Sequence, residues 1–481
     1  MQSAQLLIGD EWVSASDGAT SETIDPATNT VIGSFAEATG ADVDAAVASA
    51  RAGFESDAWQ GMTPDQRGKV LWRIAELLER DADQIAALET LDQGMPSFVS
   101  GGISLPLAAQ VFRYYAGFAT KIEGKVSPIS IPGNLTYQRR VPLGVCALIT
   151  PWNFPLAIAA WKLAPALATG NAVILKPAEQ TPLSTVRLVE ICREAGVPAG
   201  VVNLLTGGPE VGKALVNHRG VDKISFTGST EVGQYIARVS ADDFKRTTLE
   251  LGGKAPSILC ADADIDAAVM GNVQGALFNT GQACGAYTRF FVHSSRVDEY
   301  TTKLAAAASS LTIGPGHKAD TIVGPLVSQE HLDRVDSYVQ SGRDQGAELI
   351  TGGSRVDGDL ADGFFYRPTV FGGVTDDMTI AREEIFGPVL SVMAYDDIDE
   401  VVARANDTDF GLVAVLWTKD LTTAHTLPPR LRFGTVFVNQ LPLIDPGAPW
   451  GGFGMSGWGR ELGEYSIDGF TETQSTFLNL A

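Results

Sequence analysis

The stretch from residue 145 to 176, VCALITPWNFPLAIAAWKLAPALATGNAVILK, decides the fold class. Two short apolar runs rich in strand formers, 145–150 and 172–176, bracket a helical stretch. The apolar segment inside it, 155–168, is too short to span a bilayer and is interrupted by Lys162. Strand, helix and strand in that order read as a βαβ unit, whose crossover makes the two strands parallel. Working outward, similar runs recur at 201–205, 223–227 and 247–251, punctuated by Gly170, Pro177, Gly200 and Gly220. A doubly wound parallel sheet in an α/β protein is the expectation.

A second alternating region follows, with helices near 264–278, 297–311, 328–346 and 397–406 and strands near 289–293, 388–394, 412–417 and 435–438. It predicts a second α/β domain. Upstream, residues 1–35 read as strands and turns, followed by amphipathic helices over Ala41–Phe54 and Pro64–Arg80, with Thr63 as N-cap and Pro64 at N1. The segment 447–463 carries seven glycines in 17 residues, yet its Trp, Phe and Arg mark a folded loop. The alternating tail, Thr471 to Leu480, reads as an edge strand.

Composition narrows the function. With 481 residues, 45% hydrophobic and 19% charged, the chain is globular and long enough for about three domains. The net charge of −22 disfavours nucleic acid and anionic membranes as partners. Four cysteines without paired spacing make no disulfide framework and suggest a reducing compartment. With no leader pattern and no run of 18 apolar residues, a soluble, cytoplasmic protein is expected. The five scattered histidines predict no metal site.

Three residues suggest chemistry. Cys284, in NTGQACG (279–285), is a thiol among small neighbours that leave room for a substrate. Glu250, in LELGGK (249–254), closes a predicted strand where apolar surroundings would raise its pKa toward that of a base. Asn153, in PWNFP (151–155), offers an amide donor to a developing oxyanion. The turn FTGSTEVG (226–233) joins a strand to a helix, where amides can meet a pyrophosphate. It lacks the Lys-Ser/Thr of a P-loop, which disfavours nucleoside triphosphates. Taken singly, each has an ordinary explanation: a buried thiol, a paired carboxylate, a turn residue, a strand-to-helix turn.

Taken together with LKPAEQTPL (175–183), EEIFGPV (383–389) and GGFGMSGWGRELGEY (451–465), these motifs resemble the aldehyde dehydrogenase superfamily over essentially the whole chain. The resemblance implies an NAD-binding Rossmann-like domain over 1–119 and 143–252, a catalytic α/β domain over 253–453, and a β oligomerisation flap over 120–142 and 463–481. It implies Cys284 as nucleophile, Glu250 as general base, and Asn153 with the Cys284 amide as oxyanion hole. For NAD it implies Ile149, Thr150, Pro151, Trp152, Lys176, Glu179, Gly207, Phe226, Gly228, Ser229, Gly233, Leu251, Glu384 and Phe386. Ser229 and the amides around Gly228 and Gly233 would face the pyrophosphate, and Glu179 would accept from the ribose 2′-hydroxyl and repel a 2′-phosphate. A homodimer or homotetramer is implied. At position 454 this chain has Gly where the family commonly has Lys, with no nearby replacement.

For the aldehyde, Phe154, Trp161, Phe278, Leu441, Leu443 and Trp450 would line an apolar entrance, which favours an uncharged aromatic or medium-chain substrate. The same aromatic residues leave betaine aldehyde or an aminoaldehyde as the alternative. A CoA-acylating semialdehyde dehydrogenase is disfavoured by Glu250, and a thiol esterase by the cofactor motifs.

Overall fold

The computed structural model describes residues 2–480. Its first sheet has eight strands in the order Gly457–Trp458, Arg246–Glu250, Lys223–Thr227, Val145–Ile149, Ala172–Lys176, Val202–Leu204, Leu6–Ile8 and Glu11–Val13. The five strands from Arg246–Glu250 to Val202–Leu204 are parallel. Chain order runs outward in both directions from Val145–Ile149, so the crevice for a ligand opens at the carboxyl ends of that strand and its neighbours. The crossover helix Pro155–Ala168 is buried along its whole length, Lys162 included.

The second sheet runs Glu348–Thr351, Thr369–Gly372, Val389–Tyr395, Tyr287–His293, Ala255–Leu259, Val413–Trp417 and Thr435–Val438, parallel except at its first strand. Ala255–Leu259 lies inside this sheet although the sequence pattern did not mark it. Pro256 removes a ladder donor and argues against a central strand; the register shifts beside it, between Ala255 and Pro256, and the ladder resumes. A third, antiparallel sheet joins Thr471–Asn479, Asn134–Pro142 and Lys125–Ser127.

Local signals explain the elements that match. Thr63 caps the Pro64–Arg80 helix reciprocally with Gln66, whose Oε1 accepts from the Thr63 amide at 2.8 Å. One apolar cluster runs from this helix through Leu156 and Leu163 to Tyr287, Phe290 and Val415, so the two large sheets share a core. Two short strands of the glycine-rich loop stitch across it: Gly457–Trp458 pairs with Arg246–Glu250, and Phe453–Gly454 with Phe410–Gly411. Gly454 has φ +58°, and a Cβ there would sit 2.7 Å from the Asp409 carbonyl oxygen, so this turn suits the glycine found where the family commonly has Lys. Among the described residues no helix is long and apolar enough to cross a membrane.

Candidate active site

The carboxyl ends of the first sheet face the segment that enters the second sheet at Tyr287. The helix Ile265–Leu277 ends there, one residue before the sequence pattern suggested, and the chain turns through Asn279, Thr280 and Gly281 with φ of 47°, 62° and 78°. Two consecutive non-glycine residues in the left-handed region store strain that only surrounding contacts can hold. The Thr280 hydroxyl donates to the Gly324 carbonyl at 3.1 Å. Gln282, fully buried, accepts from the Val327 amide at 2.9 Å and donates to the Asn279 carbonyl at 3.2 Å. A Cβ on Gly281 would lie 2.4 Å from the Gly387 carbonyl oxygen, which ties the turn to the segment carrying Glu384 and Phe386.

Cys284 follows, partly exposed where Cys146, Cys192 and Cys260 are buried. Burial of its sulfur, then the charges of Glu384 and Glu250, push the thiol up to about 12, so the resting site holds a neutral thiol. Asn153 Nδ2 donates to the Gln282 carbonyl at 2.9 Å, and Asn279 donates to the Asn153 carbonyl at 2.9 Å. One Nδ2 hydrogen of Asn153 is thus bound to the thiol's own loop, and the amide keeps a second. The helix that begins after Phe154 has no side-chain N-cap; buried Glu89 instead accepts from the Leu156 amide at 3.0 Å.

Glu250 ends its strand 4% exposed with no hydrogen-bond partner on either oxygen. Desolvation, reinforced by the neighbouring Glu461 charge, holds its pKa well above the usual carboxylate range. Glu461 is ion-paired to Lys162, both buried, and Ser225 bonds to each. Lys162, Ser225 and Glu461 were not singled out as site residues in the sequence; the clue was a lone Lys inside the apolar run 155–168, which must find a buried partner.

A groove of about 610 Å³ opens along the first sheet, lined by Ile149, Thr150, Pro151, Trp152, Lys176, Glu179, Phe226, Gly228 and Ser229. Val232, Tyr235 and Pro209, which are not among the expected cofactor residues, line it too. The hydroxyls of Thr150 and Thr227 are buried there without partners. Among the described residues, the ammonium of buried Lys176 bonds only to the Pro177 carbonyl, at 3.2 Å. Ser229 is the N-cap of the helix Thr230–Asp242. Of the amides around Gly228 and Gly233, the two glycine N–H groups have internal partners: Gly228 N–H donates to the Glu250 carbonyl at 3.1 Å and Gly233 N–H to that of Ser229 at 3.0 Å. The amides left open at this helix start are those of Thr230 and Glu231. Gly233 instead lets the helix approach Leu251, whose Cδ2 is 2.4 Å from where its Cβ would be. Gly207, at φ +139°, shapes the turn behind Glu37.

At the far end of the groove, Glu384 Oε1 accepts from the Gly253 amide at 2.8 Å, and a Cβ on Gly252 would lie 2.3 Å from its other oxygen. Burial pushes Glu384 up to about 7. Phe386, at φ +62°, accepts through its carbonyl from His331 Nε2 at 2.7 Å and meets Trp152 edge to face at 5.2 Å. Beside the thiol, Phe154 stacks on Phe278 at 5.5 Å and Trp161 meets Trp450 at 6.3 Å. A Cβ on Gly285 would lie 3.0 Å from Trp450. Leu441 is half-buried and Leu443 is 60% exposed, so Leu443 lies at the rim.

The family model described as the aldehyde dehydrogenase family matches residues 12–476. A mitochondrial aldehyde dehydrogenase of Homo sapiens is 45% identical over 98% of this chain and 91% of its own length. A mitochondrial benzaldehyde dehydrogenase of Antirrhinum majus is 43% identical over 99% of this chain and 89% of its own. The NAD+ complex of an aldehyde dehydrogenase from Bacillus cereus superposes with a TM-score of 0.98 at 44% identity, covering 100% of this chain and 97% of that one.

Proposed function

The chain belongs to the aldehyde dehydrogenase family, and on that premise we propose that it oxidises an uncharged aldehyde with an aromatic or medium-length apolar body to the carboxylic acid, using NAD. The observation that carries the reading is a partly exposed thiol on a loop bound by Asn153 Nδ2, whose amide keeps a second hydrogen, and within electrostatic reach of Glu250, an unpartnered buried carboxylate. The groove suits a dinucleotide, since it leaves two buried hydroxyls and one buried ammonium short of partners. Lys176 and Glu179 would hold the adenosine ribose, Glu384 and Phe386 the nicotinamide end, and Thr230 and Glu231 amides the pyrophosphate. A nicotinamide bound there supplies the two-electron acceptor for the oxidation.

The protein's own groups do the rest. The Cys284 thiol gives up its proton to solvent water, its thiolate adds to the aldehyde carbon, and the new oxyanion takes hydrogen bonds from Asn153 Nδ2 and the Cys284 amide. After oxidation the acyl group remains on sulfur as a thioester. Glu250, ionised, removes a proton from water, which attacks the thioester carbon and releases the acid and the thiol. Burial raises the proton affinity of Glu250, and the Lys162–Glu461 pair adjusts it, Glu461 raising it further and Lys162 lowering it.

One observation favours a second reading, betaine aldehyde or an aminoaldehyde. Burial raises the Tyr114 phenol pKa, and the charges of Glu464 and of Asp445, which follows Leu441 and Leu443 in the chain, add to it, so two carboxylates stand near Tyr114 on the side of that loop. NADH absorbance across benzaldehyde, hexanal, betaine aldehyde and an aminoaldehyde, with and without CoA, tests both. Highest kcat/KM for the neutral aldehydes without CoA supports the first reading, and the reverse ranking the second.

We further propose the three-part domain division drawn from the resemblance, and a homodimer or homotetramer formed through the third sheet. That sheet presents Val126, 70% exposed, and Phe477, 60% exposed. The four free thiols fit a reducing compartment such as the cytoplasm.

A further inference from the structure

Beyond Glu179 the dinucleotide groove continues into a second cavity of about 450 Å³, with Glu179, Gln180 and Pro209 lining both. Its walls carry three carboxylates, Glu22, Glu37 and Glu179, and neither Lys nor Arg. Glu22 is exposed, whereas Glu37 is half-buried and fixed at both oxygens: Oε1 accepts from the Gly208 amide at 2.6 Å and Oε2 from the Ser21 hydroxyl at 2.8 Å. Gly208 is the N-cap of the helix Pro209–Asn217, so Glu37 caps a helix start that has no side-chain cap of its own. Both Glu179 and Glu37 act electrostatically on Lys176, the cation at the ribose end of the groove.

We propose that Glu37 is a second specificity-determining residue for the dinucleotide, acting with Glu179 to exclude a ribose 2′-phosphate from this cavity. The inference rests on the reading of the groove as an NAD site. A 2′-phosphate leaving the ribose beside Glu179 enters a space with no Lys or Arg in its walls, and Lys176 in the adjoining groove already interacts with two carboxylates, Glu179 and Glu37. Glu179 is held by one long bond, from Gln180 Nε2 to its Oε1 at 3.4 Å. Glu37 is tied to a backbone amide and a hydroxyl and keeps its charge in place. Repulsion across several ångströms of partly screened solvent predicts a discrimination of about threefold to tenfold from this one charge.

Dissociation constants for NAD and NADP, measured by quenching of intrinsic tryptophan fluorescence, test it on the full-length protein. Glu37→Gln retains an oxygen for the Gly208 amide and removes the charge. The expected result is that the ratio of the NADP to the NAD dissociation constant falls about threefold to tenfold, and falls further with Glu179→Gln added. In the unsubstituted protein NADP binding tightens relative to NAD as ionic strength rises, and Glu37→Gln weakens that salt dependence. A Glu37→Gln protein that binds both dinucleotides more weakly at an unchanged ratio and unchanged salt dependence gives Glu37 a structural role only and overturns the proposal. Failure of the unsubstituted protein to bind NAD overturns the reading of the groove itself, a result separable from an unchanged ratio.

Discussion

Asn279, Thr280 and Gly281, leading to Cys284, stand at φ 47°, 62° and 78°, whereas Ser229, heading the helix beside the groove, sits at φ −69° and ψ 150° with its hydroxyl accepting from the Val232 amide. The first turn is strained and pinned by Gln282, Thr280 and Asn153; the second is an ordinary capped helix start. Binding needs only the open amides and polar ends that any strand-to-helix turn provides. Covalent chemistry needs one sulfur held against one donor and one base, and the chain bends out of its preferred conformations to place it.

The contrast breaks most sharply at Cys284. Cys284→Ala should abolish aldehyde oxidation and ester hydrolysis, a loss of at least about 10⁴-fold, while NAD still binds. Residual NADH production at a tenth of the normal rate would remove the thiol from its role. In the protein without dinucleotide, a thiol at about 12 is almost wholly protonated at neutral pH. Its alkylation by iodoacetamide, followed by mass spectrometry of the Cys284 peptide, should therefore rise about tenfold per pH unit, roughly a thousandfold from pH 7 to 10. A plateau near pH 8 would mean that the thiolate is already stabilised.

Glu250→Gln leaves acylation and removes the base, so a burst of NADH should precede a steady state slowed about a hundredfold. An unchanged turnover without a burst would dismiss Glu250. The smallest effects compare the turns directly. Gly281→Ala places a methyl against the Gly387 carbonyl at φ +78°, and should cost about 1–3 kcal/mol of stability and at least tenfold in kcat. Ser229→Ala loses a cap worth about 1 kcal/mol, and should raise the KM for NAD by no more than about fivefold. Equal damage from both would erase the distinction between them.

The periodicity around 145–176 was enough to place the first sheet and its crossover helix, and the motifs gave the residues nearest the thiol. Periodicity failed where a residue's local preference opposed its tertiary role. Pro256 argued against a strand that the second sheet keeps beside a register shift. The glycine spacing of FTGSTEVG pointed to the amides around Gly228 and Gly233 without separating the two glycine donors, which bond internally, from those of Thr230 and Glu231 between them, because spacing along a chain does not say which donors already have partners. Lys162, Ser225 and Glu461 were invisible as a group, since their meeting joins a helix, a strand and the glycine-rich loop.

That meeting also orders events during synthesis. Glu461 leaves the ribosome 461 − 162 = 299 residues after Lys162, a delay of roughly 15–60 s at ordinary elongation rates. Through that interval Lys162 lacks its ion-pair partner, and the Gly457–Trp458 edge of the first sheet does not yet exist. The closing of the last loop therefore completes both the sheet and the charge balance behind Glu250. A chain truncated before it would leave the ammonium stranded in the core, and the cell's quality-control proteases would meet an unfinished protein instead of a half-active thiol enzyme.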